Sequence, residues 1–316
     1  MNQLAIVFSG QGSQYVQMGL DYINHDQAYK NMAEQASKIL GFNCIDVLSS
    51  EKVVTKTLYT QPLMVLKSIF GYEEIKKLNP EISAIAGFSL GEYTAYYAAS
   101  VYDFQSILKL VSKRAYYMDQ ASKNNDGAMA AIIGLNKDQV EEVCLSLAHQ
   151  GIIKIANENE YKQFVISGEK KLVDKAIQIL KEKGARRAVL LQTSGAFHTP
   201  LMQEASKKFI EEIKKDDILK PKQHLCKMYM NYDSLPLLDK DVIMHMEKQM
   251  THPVLFIDTI VNMKKDGMTH ILEIGPGKVL TNLIKKIDPS IETMHFDKFE
   301  SLEDVKGWLK THGFTK

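Results

Sequence analysis

The 316-residue chain sets 39 lysines and arginines against 38 acidic residues, a formal net charge of +1, with 45% hydrophobic residues. That balance gives no global field toward nucleic acid or an anionic membrane, and the length admits one large domain or a larger one with a smaller one attached. Three scattered cysteines, Cys44, Cys144 and Cys226, lack metal or redox spacing and read as packing residues in a reducing, cytoplasmic setting.

The N-terminal run Leu4-Ala5-Ile6-Val7-Phe8 stops at Ser9-Gly10-Gln11-Gly12. It is too short for a signal core or a membrane span, and it predicts a buried first strand. Helical periodicity follows from Gln27 to Leu40 and from Pro62, read as a first helical residue, to Lys77. Ile82 to Ala86 reads as a short buried strand running into Gly87, and Phe104 to Gln120 as an amphipathic helix.

From Ala128 to Leu191 the rhythm changes. Strand Ala128 to Ile133, helix Lys137 to His149, strands Ile152 to Ala156 and Gln163 to Ser167, helix Lys170 to Lys183 and strand Ala188 to Leu191 follow in turn. That β-α-β-β-α-β order is the split βαβ, or ferredoxin-like, unit. Turn signals at Asp126-Gly127 and Ser194-Gly195 flank it. Residues 126–194 are therefore expected to form a small subdomain inserted into an α/β large subdomain of residues 1–125 and 195–316. The latter resumes with helices Pro200 to Ile213 and Asp239 to Gln249, strand His270 to Ile274, the turn Gly275-Pro276-Gly277 and further helix.

Gly87-Phe88-Ser89-Leu90-Gly91 matches the nucleophile elbow G-x-S-x-G, with a strand before it and a helix after it. A sharp turn there exposes the Ser89 hydroxyl at a helix N-terminus, and the Leu90 N–H then serves as an oxyanion donor. A plain serine N-cap with packing glycines is the alternative. A nucleophilic serine needs a base. Of nine histidines, His198 sits on a loop before Thr199-Pro200, a helix cap and first residue, which suits a rim position; His252 beside Pro253 is the next candidate. The acids between Ser89 and His198, such as Asp138, Glu141, Glu158 and Asp174, all fall in the insert, which leaves a backbone or amide oxygen to orient the imidazole in a Ser-His dyad.

Arg114 falls inside the apolar stripe of its helix, with Leu110, Val111 and Met118. A buried guanidinium needs a partner. The candidates are a structural salt bridge, a snorkelling side chain, or a substrate carboxylate held by two parallel hydrogen bonds. No H-E-x-x-H or paired-cysteine spacing occurs, and no metal ligands are expected.

Spaced along almost the whole chain stand Gly10-Gln11-Gly12-Ser13-Gln14, Thr60-Gln61-Pro62, the elbow with Glu92, Arg114, Gly127-Ala128-Met129-Ala130, Gly195-Ala196-Phe197-His198 and Glu273-Ile274-Gly275-Pro276-Gly277-Lys278. In this order they resemble the malonyl-CoA:acyl carrier protein transacylase family, which includes acyltransferase domains of fatty-acid and polyketide synthases. The resemblance implies an α/β-hydrolase-like core with a ferredoxin-like insert. It implies ping-pong transfer of malonyl from malonyl-CoA to the phosphopantetheine thiol of a holo acyl carrier protein, with no bound cofactor. By the same resemblance Ser89 and His198 are catalytic, and the Gln11 and Leu90 N–H groups form the oxyanion hole. The main-chain oxygen of Gln249 holds the His198 ring, and Arg114 binds the malonyl carboxylate. Phe88, Met118 and Phe197 are expected at the acyl group, Phe197 disfavouring an α-methyl branch. One departure is Phe88, where the family usually has histidine, so acyl selectivity follows less directly. Lys181, Lys183, Arg186 and Arg187 form a basic cluster that reads as a solvated face or as a docking point for an acidic carrier. A cytoplasmic monomer without nucleic-acid or membrane partners is expected. The rival readings are a serine hydrolase or thioesterase on a related core, an acyltransferase acting in trans with another acyl-CoA preference, and a carrier-binding module without chemistry.

Overall fold

A computed structural model of the chain describes residues 2–193 and 195–315, with the backbone alone at Lys52 and Val53. Among these residues the strands are β1 Leu4–Phe8, β2 Ile82–Gly87, β3 Gly127–Ile133, β4 Ile153–Glu160, β5 Gln163–Glu169, β6 Arg187–Leu190, β7 Lys227–Tyr229, β8 His270–Ile274 and β9 Glu292–Phe296. They form a mixed α/β fold with two separate sheets. One is parallel, ordered β7-β2-β1-β8-β9; the other is antiparallel, ordered β4-β5-β3-β6.

β1 lies at the centre of the parallel sheet, and all five of its residues are buried. Side chains alternate between faces along a strand. Leu4, Ile6 and Phe8 enter one core with the helices Thr57–Lys77 and Phe104–Asn124. The smaller Ala5 and Val7, with Ala84 and Ala86 of β2, enter a second core that also holds Ile132, Ile166 and Phe256. A parallel strand covered on both faces has to be apolar throughout, which is why a continuous run rather than an alternating one encodes it.

The antiparallel sheet carries the expected β-α-β-β-α-β order, with helices Lys137–Leu147 and Lys170–Glu182. Its apolar face belongs to that second core, so the antiparallel sheet and its two helices share their interior with the parallel sheet. Main-chain bonds join the two parts as well: Val254 N–H donates to Ala156 O at 2.9 Å, and Glu158 N–H to Val254 O at 3.0 Å. A Cβ on Gly127 would stand 2.7 Å from Ala196 Cβ, so glycine permits that close approach. Ser194 of the expected Ser194-Gly195 turn lies outside the described residues.

The helix expected to open at Pro62 begins at Thr57 instead, and Pro62 lies within it. The Thr60 hydroxyl donates to Lys56 O at 3.0 Å and lies 2.5 Å from Val54 O, fixing the earlier turn. Proline there leaves the Leu58 carbonyl without its helical partner. Burial of Leu63, Met64, Leu66, Ile69 and Phe70, each worth about 1.5–3 kcal/mol, more than offsets the roughly 3 kcal/mol that an interior proline costs. The segments expected as helices from Pro200 and Asp239 open with 3-10 turns, Pro200–Met202 and Asp239–Asp241, before Gln203–Lys215 and Val242–Thr251. No helix among the described residues is long and apolar enough to cross a membrane.

Candidate active site

Ser89 stands where β2 gives way to the helix Gly91–Ala98, at the C-terminal end of the parallel strands. Its φ of 49° lies in the left-handed region, which non-glycine residues rarely adopt and which clusters at functional sites. The turn is tight enough to exclude side chains on both flanking glycines. A Cβ at Gly87 would meet Glu92 N at 2.1 Å, and one at Gly91 would meet Phe8 O at 2.1 Å. Two side chains hold the strained residue from either side. Ser89 N–H donates to Asn231 Oδ1 at 2.6 Å, and Gln249 Nε2 donates to Ser89 O at 2.7 Å. Asn231 also donates from Nδ2 to Gly87 O at 2.6 Å, and its N–H donates to Glu92 Oε2 at 2.8 Å.

Ser89 Oγ is 2.8 Å from His198 Nε2, and His198 Nδ1 is 2.8 Å from the main-chain oxygen of Gln249. A carbonyl only accepts, so Nδ1 carries the proton and Nε2 turns its lone pair to the serine. His198 is buried, and its pKa falls from 6.5 to about 4; burial is the larger cause and the Arg114 charge the second. The ring is therefore neutral at physiological pH, in the tautomer a general base requires. The structure thus brings Ser89, His198 and the Gln249 main-chain oxygen together. None of Asp138, Glu141, Glu158 and Asp174 reaches the ring, and His252 instead bonds to Lys248 O and Thr251 Oγ1.

Arg114 is 1% exposed. Nη1 donates to Gln61 Oε1 at 2.8 Å, Nη2 to Gln249 Oε1 at 3.1 Å, and Nη2 lies 3.5 Å from Ser89 Oγ. Its guanidinium carbon sits 5.2 Å from the centre of the Tyr93 ring. Nε has no hydrogen-bond partner, and no carboxylate among the described residues forms an ion pair with the group. The structural salt bridge and the snorkelling side chain are both absent from this geometry. What remains is a desolvated cation facing the serine hydroxyl. Burial lowers its pKa and also pushes the nearby Glu92 carboxyl up to about 8.

The other expected residues divide. Met118 is buried with its Sδ 3.6 Å from Gln61 Nε2, next to the arginine. Gln11 touches the same amide through its side chain, Oε1 to Gln61 Nε2 at 3.3 Å. Among the described residues the Gln11 and Leu90 N–H groups donate to no protein acceptor. The Phe88 ring packs edge-on against Phe256, 5.3 Å between centroids, and a Cβ on Gly10 would lie 2.9 Å from its Cδ1. Phe197 is buried in the first core. Gln61, Glu92, Tyr93 and Asn231 enter the site with no role assigned from the sequence. Gln61 and Glu92 lie within recognised motifs, whereas Asn231, in Met230-Asn231-Tyr232, offers no local signal.

A strained serine, a neutral histidine fixed by a main-chain oxygen and a buried arginine without a carboxylate partner together suit transfer of an anionic acyl group. The family model of the acyl transferase domain matches residues 5–296. The chain belongs to that family. This acyl transferase domain is 37% identical over 315 residues to a malonyl CoA-acyl carrier protein transacylase of Staphylococcus aureus (strain MW2), covering 98% of this chain and 99% of the relative. Against the crystal structure of MCAT from Streptococcus pneumoniae the TM-score is 0.90 at 33% identity, with 97% of this chain and 100% of the other covered. A malonyl-transacylase solved in complex with its type II PKS acyl-carrier protein gives a TM-score of 0.91 at 30% identity, covering 96% and 98%.

Proposed function

We propose that the protein moves a malonyl group from malonyl-CoA to the phosphopantetheine thiol of an acyl carrier protein through a malonyl ester on Ser89. His198 Nε2 accepts the Ser89 proton as Oγ attacks the thioester carbonyl, and the developing oxyanion is met by the free N–H groups of Leu90 and Gln11. The tetrahedral adduct collapses by expelling the CoA sulfur, which takes the proton back from His198. In the second half the carrier thiol, deprotonated by His198, attacks the ester carbonyl, and Ser89 leaves with the proton. Arg114 pairs with the malonyl carboxylate in both halves, its fork matching the two oxygens. Met118, Phe197 and Phe88 bound the acyl end, the Phe88 ring being braced by its packing on Phe256.

One observation carries this reading: Arg114 is buried without a carboxylate partner, with Nη2 3.5 Å from Ser89 Oγ. A hydrolase of uncharged esters has no use for such a cation. The strand orders support an α/β-hydrolase-like core of residues 1–125 and 195–316 with a ferredoxin-like insert of residues 126–194. The free cysteines suit the cytoplasm, and the reaction requires no cofactor.

The experiment is incubation with malonyl-CoA, intact mass and peptide mapping, then addition of holo carrier protein. A malonyl adduct on Ser89 that passes to the carrier supports transfer. No adduct, or one discharged only to water, refutes it.

A further inference from the structure

The opposite end of the parallel sheet holds polar side chains that acyl transfer does not use. Ser89 follows the C-terminal end of β2, whereas His270 and Glu292 are register partners at the N-terminal ends of β8 and β9. His312 comes just after the C-terminal helix Leu302–Thr311. One ligand atom from each of the three lies within 4.8 Å of the others. His312 Nε2 is 3.0 Å from Glu292 Oε2, while His270 Nε2 is 3.9 Å from the same oxygen. The longer distance is no hydrogen bond, and His270 Nε2 is buried without a partner.

The remaining ring nitrogens are already engaged. His312 Nδ1 donates to Trp308 O at 2.8 Å, and His270 Nδ1 bonds to Thr269 Oγ1 at 2.8 Å. For His312 this leaves the Nε2 lone pair facing the cluster; for His270 the hydroxyl permits the same tautomer. Aromatic contacts fix the rings: centroids of His270 and Phe314 are 5.0 Å apart, and those of Trp308 and His312 are 5.1 Å apart. The His270 side chain is 6% exposed and Glu292 60%, so one wall is dry and the other open to water.

We propose that His270, Glu292 and His312 bind a divalent transition-metal ion such as zinc, with water completing the shell. Two imidazoles and a carboxylate are a common donor set for such ions. Metal-bound histidines ordinarily engage their second ring nitrogen with a carbonyl or another polar group, as both do here. Tetrahedral ligands about 2.0–2.2 Å from zinc lie roughly 3.3–3.5 Å from one another. The observed 3.0 and 3.9 Å bracket that span. The ion would give His270 Nε2 its missing partner and tie β8, β9 and the chain's last helix together. The sequence does not show this, because the three ligands come from three separate elements.

The test uses the full chain, stripped of metal and titrated with cobalt(II) and then zinc. The expected result is one cobalt per chain with visible d–d absorption, displaced by zinc, and a rise in Tm of about 5 °C at zinc well above its Kd. Glu292→Gln, at a solvent-facing position, and the double variant Glu292→Gln/His312→Gln should keep malonyl transfer. Both should lose the absorption bands, most of the Tm rise and at least tenfold in cobalt affinity. Equal cobalt uptake and equal Tm response in wild type and both variants would overturn the site, whatever the outcome for transfer.

Discussion

Replacing Arg114 with alanine separates a substrate-binding arginine from a merely structural one. In the native site Nη1 and Nη2 are held by the Gln61 and Gln249 side-chain oxygens, so the fork is aimed before any ligand arrives. Removing one partner of a buried, hydrogen-bonded charge pair costs about 2–5 kcal/mol. Taking about 3 kcal/mol, kcat/KM for malonyl-CoA should fall roughly a hundredfold or more. Acetyl-CoA presents no carboxylate. Its transfer should change by no more than about threefold, because Ser89, His198 and the Gln249 carbonyl stay in place and the loss of a nearby cation eases imidazolium formation. Both rates are measured as transfer to holo carrier protein, with Arg114→Lys expected between the two because it keeps the charge but not the fork. Equal losses for malonyl and acetyl would refute the carboxylate role.

If His198 is the base, as proposed, its low pKa should set the acid limb of Ser89 acylation. With the ring held at about 4, the acylation rate for the free enzyme should stay level from about pH 8 down to about 5 and fall only near 4, followed by quench-flow; an acid limb near 6.5 would mean a solvated ring. Stability carries the same group with a definite sign. The unfolded histidine takes up its proton near 6.5 and the native one near 4, so this contribution is present above about 6.5 and is lost as pH falls toward 4. His198→Gln should flatten that part of the stability profile in urea titrations. Asn231→Ala leaves the Ser89 N–H and Gly87 O without partners, costing about 2–3 kcal/mol in urea unfolding, and should lower kcat more than it raises KM. Gly91→Ala puts a Cβ 2.1 Å from the Phe8 carbonyl on the central strand, where backbone cannot yield, and should destabilise by about 3 kcal/mol or more in the same assay.

What the sequence encodes locally was legible, and what depends on distant encounters was not. β1 throughout and β2 from Ala84 onward are buried on both faces, so composition alone marks them. Arg114 betrayed itself because an arginine among Leu110, Val111 and Met118 violates the periodicity around it. β7 has three residues, too few for any period to register, and β9 is an edge strand whose Glu292, Thr293, Met294 and His295 are all at least partly exposed. The part of Gln249 that holds His198 is its main-chain oxygen, which every residue possesses, so no residue type could announce it. Its side chain is a different matter. Oε1 accepts from Arg114 while Nε2 donates to Ser89 O, a bridging task that suits an amide with both donor and acceptor. Asn231 does the equivalent work on the other side of the elbow, bonding to Ser89 N–H and Gly87 O.

Arg114 and His198 form an electrostatic pair as well as a spatial one. The bare guanidinium is one of the two causes that depress the imidazole, so it opposes the positive charge that His198 must acquire on taking the serine proton. A carboxylate seated on Arg114 cancels most of that opposition and lets the ring become a stronger base in the same event that positions the acyl carbon. An uncharged acyl group brings no such relief, and water brings none either. In the proposed mechanism this buried cation without a carboxylate partner would therefore be more than a hook for malonate. If a malonyl carboxylate pairs with Arg114 as proposed, the smaller of the two causes that depress His198 is relieved, and charge as well as shape would discriminate between acyl groups.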